Sequence, residues 1–555
     1  MKKQQKKLTK RRRVVGSILT LLATLLCASY VWLESYFSDL TMEKMVFQMK
    51  VPMEGTGMGI IFNYLLYAVP PCLIMGGLLF LLLRERKSDG KNQGKKGIKT
   101  KEISEKEAEG KETEGKEVEV KETETKEIEQ KKTEKEESGK SEKPKFRVCL
   151  YEWIRGHIVI LSSVFLIGTI IFGLFRYDIP TYLYNQTHPS RLYETSYVDP
   201  DKTEITFPQK KRNLIYIFLE SFENTFASKE YGGFQEENLL PNLTKLQREE
   251  DSVHFSQPDG AGMIEMASCS WTMASMVAQT SGVPLSIPLA NNGYDMYTTF
   301  LPGITTLGEI LQKQGYHQKF LIGSEAAFAG TDHYYEQHGE YEIIDYDYAL
   351  EQGWLPEDYY EWWGFEDEKL FEFAKKELEQ LASEDEPFNL TMATMDTHCV
   401  EGYVCEKCGD AYDEQYYNVI ACADSQLYQF VEWVKEQPWY ENTTIILCGD
   451  HLTMDARYAD SVDKDFNRSV FQVIVNPAVE PKKTEDRLYS ALDMFPTTLA
   501  ALGAEIEGEY LGLGVNLFSD QPTLCEKMGT EELAAQIKQT SRYYNNKFLF
   551  AKPKK

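Results

Sequence analysis

Two apolar runs end abruptly on residues that bind cations. Asn213-Leu-Ile-Tyr-Ile-Phe-Leu runs into Glu220-Ser221, and Thr443-Thr-Ile-Ile-Leu-Cys448 runs into Gly449-Asp450-His451. Two carboxylates and one imidazole form a common donor set for a divalent metal. A hydroxyl joins them by type. Thr272 stands directly before Met273-Ala-Ser-Met-Val-Ala-Gln-Thr-Ser-Gly282, small and apolar residues at helical spacing closed by glycine. A threonine at a helix start ordinarily caps it. The same place suits a nucleophile, because free N–H groups and the helix dipole there favour an anion. Taken alone, Glu220 reads as well as a cap for the next helix; with Asp450-His451 the metal reading prevails.

The elements that must position these groups are strands buried on both faces. Tyr216 and Phe218 alternate with Ile215, Ile217 and Leu219, and nothing in the run is strongly polar, as in the middle of a parallel sheet. In open α/β sheets the carboxyl ends of the strands open into the ligand crevice. Further strands are expected at His317–Gly323, at Phe388–Met395, ending on Asp396-Thr397-His398, and at Val470–Val475. Helices are expected from Leu240-Pro241, around Ile304, after Trp362-Trp363-Gly364-Phe365, and from Leu492, with Asp493 as a cap. This alternation predicts an α/β fold, a mainly parallel sheet flanked by helices. The chain has no internal repeat, phosphate-binding P-loop or dinucleotide glycine fingerprint.

What precedes that region is organised by the membrane. A basic head, residues 1–13, is followed by apolar runs at Val14–Leu33, Gly59–Leu83 and Ile158–Leu174, each near or above spanning length. The basic head and Arg84, Arg86 and Lys87 fix the orientation by the positive-inside rule. Residues 14–86 read as two transmembrane helices, 87–150 as a charged, disordered cytoplasmic linker, and 151–176 as a third transmembrane helix. An external linker, 177–204, leads to an extracellular catalytic domain at 205–522, and 523–555 form a C-terminal helix and tail. The expected location is the cell membrane, multi-pass. A net charge of −26 over 555 residues excludes nucleic acid as a partner of the bulk of the chain. Cys405-Glu-Lys-Cys408 has zinc-site spacing without a second close pair; outside the cell a loop disulfide to Cys422 is the expectation, with free thiols as the alternative.

Strand-Leu-Glu-Ser, a threonine opening a small helix, a strand ending Thr397-His398 and Gly-Asp-His, in that order, resemble the sulfatase-like phosphoglycerol transferases of the alkaline phosphatase superfamily: the lipoteichoic acid synthases and the osmoregulated-glucan phosphoglycerol transferases. The resemblance covers roughly residues 205 to 520. It implies a sulfatase/alkaline-phosphatase-like fold, with Glu220, Thr272, Asp450 and His451 as metal ligands and Thr272 as the catalytic nucleophile. It implies Mn²⁺, or Mg²⁺, as cofactor, and His398 as the histidine that contacts substrate; Asp332, in the substrate-side loop, and Trp363 are further substrate-side candidates, with Trp363 reading also as packing. The implied partners are phosphatidylglycerol as donor lipid and a glycan or polyglycerolphosphate acceptor. Lipoteichoic acid synthases carry Phe-Trp-Asn-Arg where this chain has Phe328-Ala-Gly-Thr331-Asp332, and Trp271-Thr272, Ser281-Gly-Val-Pro284 and Trp363-Gly-Phe365 lie nearer the glucan-modifying enzymes. Competing readings are phosphoethanolamine transfer, a sulfatase or phosphodiesterase, and a non-catalytic binding protein. A sulfatase needs Cys or Ser followed by x-Pro-x-Arg, which Thr272-Met-Ala-Ser-Met lacks; a binding protein would be expected to have lost a ligand.

Overall fold

The computed structural model describes residues 2–37, 40–50, 58–84, 142–286 and 299–552. Residues 87–141 of the charged linker lie outside them. The chain divides into two compact units, Met1–Ser29 with Leu65–Phe172, and Tyr30–Tyr64 with Gly173–Lys555.

The first unit is built from parts of three helices, Lys2–Tyr36, Met58–Leu83 and Glu142–Arg176. Their segments Lys10–Ser35, Ile61–Leu83 and Tyr151–Arg176 are long and apolar enough to cross a membrane. Inside this unit the hydroxyls of Thr20 and Ser162 lie 2.7 Å apart. A Cβ on Gly16 would fall 2.8 Å from Ile158, so glycine is what lets these two helices approach.

The second unit is organised by a mixed sheet with seven strands among the described residues, in the order β3-β8-β7-β2-β6-β4-β5. These are β2 (Asn213–Leu219), β3 (Ser252–Val253), β4 (His317–Ile322), β5 (Glu342–Ile344), β6 (Phe388–Ala393), β7 (Thr443–Gly449) and β8 (Gln472–Val475). β2, β4, β5, β6 and β7 pair parallel, β8 runs antiparallel to β7, and the edge strand β3 runs antiparallel to β8. Two-stranded pairs, β1 (Ile205–Thr206) with β9 (Glu505–Ile506) and β10 (Tyr510–Leu511) with β11 (Gly514–Val515), complete it. Central β2 is buried at every residue. Because side chains alternate across a strand, Leu214, Tyr216 and Phe218 enter one core cluster while Ile215, Ile217 and Leu219 enter the other. The sheet is therefore covered on both faces.

The helix from Leu240-Pro241 forms at Pro241–Leu246, and the acidic amphipathic helix spans Asp367–Leu381. The expected Asp493 cap is displaced: Ser490 is the cap of the Ala491–Asp493 turn, Asp493 accepts its backbone N–H at 2.9 Å as the capping-box partner, and at the head of the Met494–Ala501 helix Asp493 makes no side-chain cap bond. Two boundaries move. Val470 makes only isolated bridges, to Glu223 and to Met263, so the last long strand starts at Gln472, and β6 stops at Ala393, two residues before Met395. Leu533, Ile537, Tyr544 and Phe548 of the C-terminal segment sit in the same core cluster as Tyr216. So does Val46 of the Met42–Lys50 helix, whose Glu43 accepts a hydrogen bond from the Ser268 hydroxyl.

The expected loop disulfide to Cys422 is not formed. Cys405, Cys408 and Cys422 are free thiols. Cys405 Sγ lies 3.6 Å from Cys408 Sγ and 3.7 Å from Cys422 Sγ, against about 2.05 Å for a bond. The buried face of the Gln415–Lys435 helix presents Cys422 to both loop cysteines at once, so three sulfurs share the space that a pair would close.

Candidate metal centre

Register brings the two carboxylates together. Leu219 of β2 stands opposite Gly449 of β7 in a parallel pair, so Glu220 and Asp450 leave the sheet side by side. Gly449 is required there: a Cβ would lie 2.3 Å from the Phe222 carbonyl oxygen and 2.5 Å from Val470. After Glu220 the chain turns through Ser221, a non-glycine residue at φ 55°, a backbone state that is uncommon and costly. The turn aims the Ser221 N–H at Asp450 Oδ1, 2.8 Å away, and the His451 N–H reaches the same oxygen at 2.7 Å. The Ser221 hydroxyl donates to Glu220 Oε1 at 2.7 Å.

Glu220, Asp450 and His451 are 2%, 1% and 0% exposed, and their ligand atoms all lie within 4.8 Å of one another. Asp450 Oδ2 and His451 Nε2, 3.3 Å apart, are buried without a hydrogen-bond partner among the described residues. His451 Nδ1 faces the Leu452 carbonyl at 2.8 Å; donating its proton there leaves the Nε2 lone pair for a ligand. Burial pushes Asp450 up to about 7, and burial together with the Asp450 charge raises Glu220; burial lowers the His451 imidazole. Two sealed carboxylates that resist ionisation beside a neutral imidazole with a free lone pair fit a divalent cation, which reverses that penalty.

Thr272 meets this cluster. Its hydroxyl donates to Glu220 Oε2 at 3.2 Å. The helix-cap reading fails, because Trp271 is the N-cap and Thr272 is the first residue of the Thr272–Ser281 helix. Gly282 ends that helix in the left-handed region at φ 64°, which suits glycine. Glu220 caps no helix either; the next short turn, Asn224–Phe226, is preceded by Glu223.

The structure brings Glu220, Thr272, Asp450 and His451 into one cluster. His398 is half-buried on the loop after β6, with Nδ1 2.7 Å from the Cys399 carbonyl. Trp363 lies against it, the ring centroids 5.4 Å apart, and also against Phe328 at 6.4 Å. Asp332 bonds locally: Oδ1 accepts the His333 N–H at 2.6 Å. The preceding Thr331 donates to Met273 Sδ at 3.5 Å, so the turn carrying Asp332 abuts the helix start carrying Thr272.

Several supporting groups escaped the sequence reading. Thr394 Oγ1 accepts the Glu220 N–H, and the Thr397 hydroxyl donates to the Glu220 carbonyl at 2.6 Å. Fully buried Glu223 takes Arg468 bidentately, at 3.1 and 2.6 Å, and accepts the Thr453 N–H. Glu265 accepts the Leu452 N–H beside His451. Asp367 accepts the Met395 and Asp396 N–H groups, fixing the base of the His398 loop. Lys44, 8% exposed on the Met42–Lys50 helix, is a cation whose charge acts on His451. For Thr394 and Thr397 the signal was adjacency to a strand end; for Glu223, Glu265 and Lys44 nothing local marks them.

A mainly parallel α/β sheet with an acid-histidine cluster and a helix-start hydroxyl at its carboxyl edge defines a class of metal-site protein. A family model described as Sulfatase matches residues 212–504, and the chain belongs to the sulfatase family. The chain is 30% identical over 334 residues to "Phosphoglycerol transferase I" of Escherichia fergusonii; the match takes in 59% of this chain but only 41% of that relative. Among solved structures, a protein of the alkaline phosphatase superfamily from Vibrio parahaemolyticus aligns at 24% identity and a TM-score of 0.46, covering 60% of this chain and 78% of that one. The lipoteichoic acid synthase LtaP from Listeria monocytogenes aligns at 18% identity and a TM-score of 0.44, covering 57% and 79%.

Proposed function

We propose that this chain is a membrane-anchored, metal-dependent phosphoglycerol transferase. It moves glycerol phosphate from phosphatidylglycerol to a cell-envelope glycan or polyglycerolphosphate acceptor through a phosphorylated Thr272. The observation that carries the reading is the pair of unpartnered atoms, Asp450 Oδ2 and His451 Nε2, beside a Thr272 hydroxyl already turned toward Glu220. The name of the Escherichia fergusonii relative supplies the head group. Glu220, Thr272, Asp450 and His451 would hold Mn²⁺ or Mg²⁺, which when bound supplies Lewis-acid charge to the phosphoryl oxygens and lowers the pKa of the threonine hydroxyl.

The protein's own groups do the rest. Thr272 Oγ1 gives up its proton along its hydrogen bond to Glu220 and attacks phosphorus. A P–O bond to threonine forms, the bond to diacylglycerol breaks, and the leaving oxygen takes a proton from His398. Trp363, packed on that imidazole, and Asp332 line the side where glycerol sits. An acceptor hydroxyl then attacks the glycerophospho-threonine and gives its proton to His398; the P–O bond to Thr272 breaks, and Thr272 Oγ1 takes back the proton held on Glu220. Residues 205–522 form the catalytic domain on the external face, carried by spans within 14–86 and 151–176. The basic head 1–13 and the linker 87–150 lie inside, 177–204 joins the last span to the domain, and 523–555 close the chain.

The test is a head-group assay on the full chain in detergent with labelled phosphatidylglycerol and phosphatidylethanolamine. The proposal expects diacylglycerol release from the first and little from the second. Preference for the ethanolamine lipid would reassign the donor, and release with no transfer to any acceptor would make the protein a hydrolase.

A further inference from the structure

Away from the carboxylate site, three thiols and an amide converge in a way neither a disulfide nor ordinary packing explains. Cys405 and Cys408 sit on the loop that follows His398, and Cys422 and Gln426 lie one turn apart on the Gln415–Lys435 helix. The three sulfurs lie within 4.8 Å of one another, two of the separations being 3.6 and 3.7 Å. Gln426 Nε2 lies 3.4 Å from Cys422 Sγ and 3.7 Å from Cys405 Sγ. Gln426 is 5% exposed, and its Oε1 is buried with no hydrogen-bond partner among the described residues.

These distances match the edges of a tetrahedron. With zinc–sulfur bonds of about 2.3 Å, two sulfurs of a tetrahedral site stand about 3.8 Å apart, and a sulfur and an oxygen about 3.5 Å apart. Rotating the Gln426 amide by half a turn, an assignment that the hydrogen-bond pattern must decide, puts Oε1 where Nε2 stands, facing Cys405 and Cys422, and carries the NH2 group to the position Oε1 leaves. We propose that Cys405, Cys408 and Cys422, with Gln426 Oε1 in the fourth position, form a structural zinc site distinct from the Glu220–Asp450–His451 cluster. Soft thiolates select zinc over the hard cations that suit the carboxylate cluster, so two different metals are sorted within one domain. Each thiol surrenders its proton to solvent on ligation. The ion adds a tie between the His398 loop and the helix to the hydrogen bonds that Gln415 of that helix donates to the Glu401 and Gly402 carbonyls, while the Tyr403 N–H on the Asp396 carbonyl and the Glu401 N–H on Asp455 hold the loop elsewhere. A filled fourth position makes the site closed and structural rather than catalytic.

The experiment is cobalt substitution and metal analysis of the full chain, purified in detergent, alongside Asp450→Asn, which disables the carboxylate cluster. Thiolate-to-cobalt charge-transfer absorption reports sulfur ligation alone, so it is blind to the oxygen-rich site. The expected result is about one zinc per chain retained in Asp450→Asn, with the charge-transfer bands present there and lost in Cys405→Ser. Gln426→Leu keeps the bands and weakens zinc affinity roughly tenfold or more. Should Cys405→Ser fail to fold, alkylation of the wild-type chain decides: the three thiols are protected until a chelator is added. Absence of the bands, bands that survive Cys405→Ser, thiols that alkylate freely without chelator, or a Cys405–Cys422 disulfide in freshly isolated chain would each overturn the proposal.

Discussion

Replacing Asp450 with asparagine separates the charge of the site from its hydrogen bonds. The amide oxygen of asparagine can accept the Ser221 and His451 N–H groups that now end on Oδ1, and the change falls on Oδ2, which faces His451 Nε2 at 3.3 Å and has no hydrogen-bond partner among the described residues. Without metal, the buried Asp450 is raised from the ordinary 3.8 to about 7. Below pH 3.8 the carboxyl is neutral in both the folded and unfolded chain and costs nothing. Between pH 3.8 and about 7 the unfolded chain ionises while the folded chain does not, so metal-free stability falls across that window and stays low above it. At 1.36 kcal/mol per pH unit the loss is about 4 kcal/mol. Glu220 is raised in the same direction and adds to it. In chelator at pH 8, Asp450→Asn is therefore expected to be more stable than the wild type, by an amount that vanishes near pH 4. A gain of 1 kcal/mol moves Tm by about 2–4 °C in domains of 150–250 residues, so a shift of roughly 5 °C in this larger unit is measurable by intrinsic fluorescence during heating. Mn²⁺ or Mg²⁺ should raise the wild-type Tm and leave the variant nearly unmoved. A variant less stable than wild type in chelator at pH 8, or metal stabilisation of both alike, would refute the electrostatic reasoning.

Two other perturbations act through different contacts. Glu223→Ala removes the fully buried carboxylate that takes the Arg468 guanidinium bidentately and accepts the Thr453 N–H; the expected cost is about 3–5 kcal/mol, seen as a large fall in Tm. Deleting residues 95–140 of the Lys/Glu linker should leave the activity of the membrane-inserted chain within a few fold. A total loss with normal expression and insertion would contradict the linker's assignment as a dispensable tether.

The sheet was legible because burial on both faces leaves a mark that single residues carry. A run such as Leu214–Leu219, apolar at every position, has no solvent face, and its abrupt end on Glu220 marks the sheet edge. The cluster was legible in its members, since each stands within one or two residues of a strand end or at a helix start. What supports the cluster was not legible. Glu223, Glu265 and Arg468 lie in irregular segments whose partners are set by tertiary packing, and Lys44 precedes the sheet by well over a hundred residues. The cysteines misled for a related reason. Spacing finds Cys405 and Cys408, but only the helical phase that turns Cys422 toward both places three free thiols together.

The central claim, that Thr272 is a nucleophile and not a helix cap, is tested most directly by mass spectrometry of the chain after incubation with phosphatidylglycerol and Mn²⁺. Trp271 already occupies the cap position, so Thr272→Ala should retain the fold without the penalty of about 1 kcal/mol that a lost cap brings. The account predicts a glycerophosphate adduct on the peptide containing Thr272 in the wild type. It predicts the adduct's absence together with loss of diacylglycerol release in Thr272→Ala, and residual release in Thr272→Ser, where a hydroxyl remains. Normal diacylglycerol release by a folded Thr272→Ala chain would contradict it.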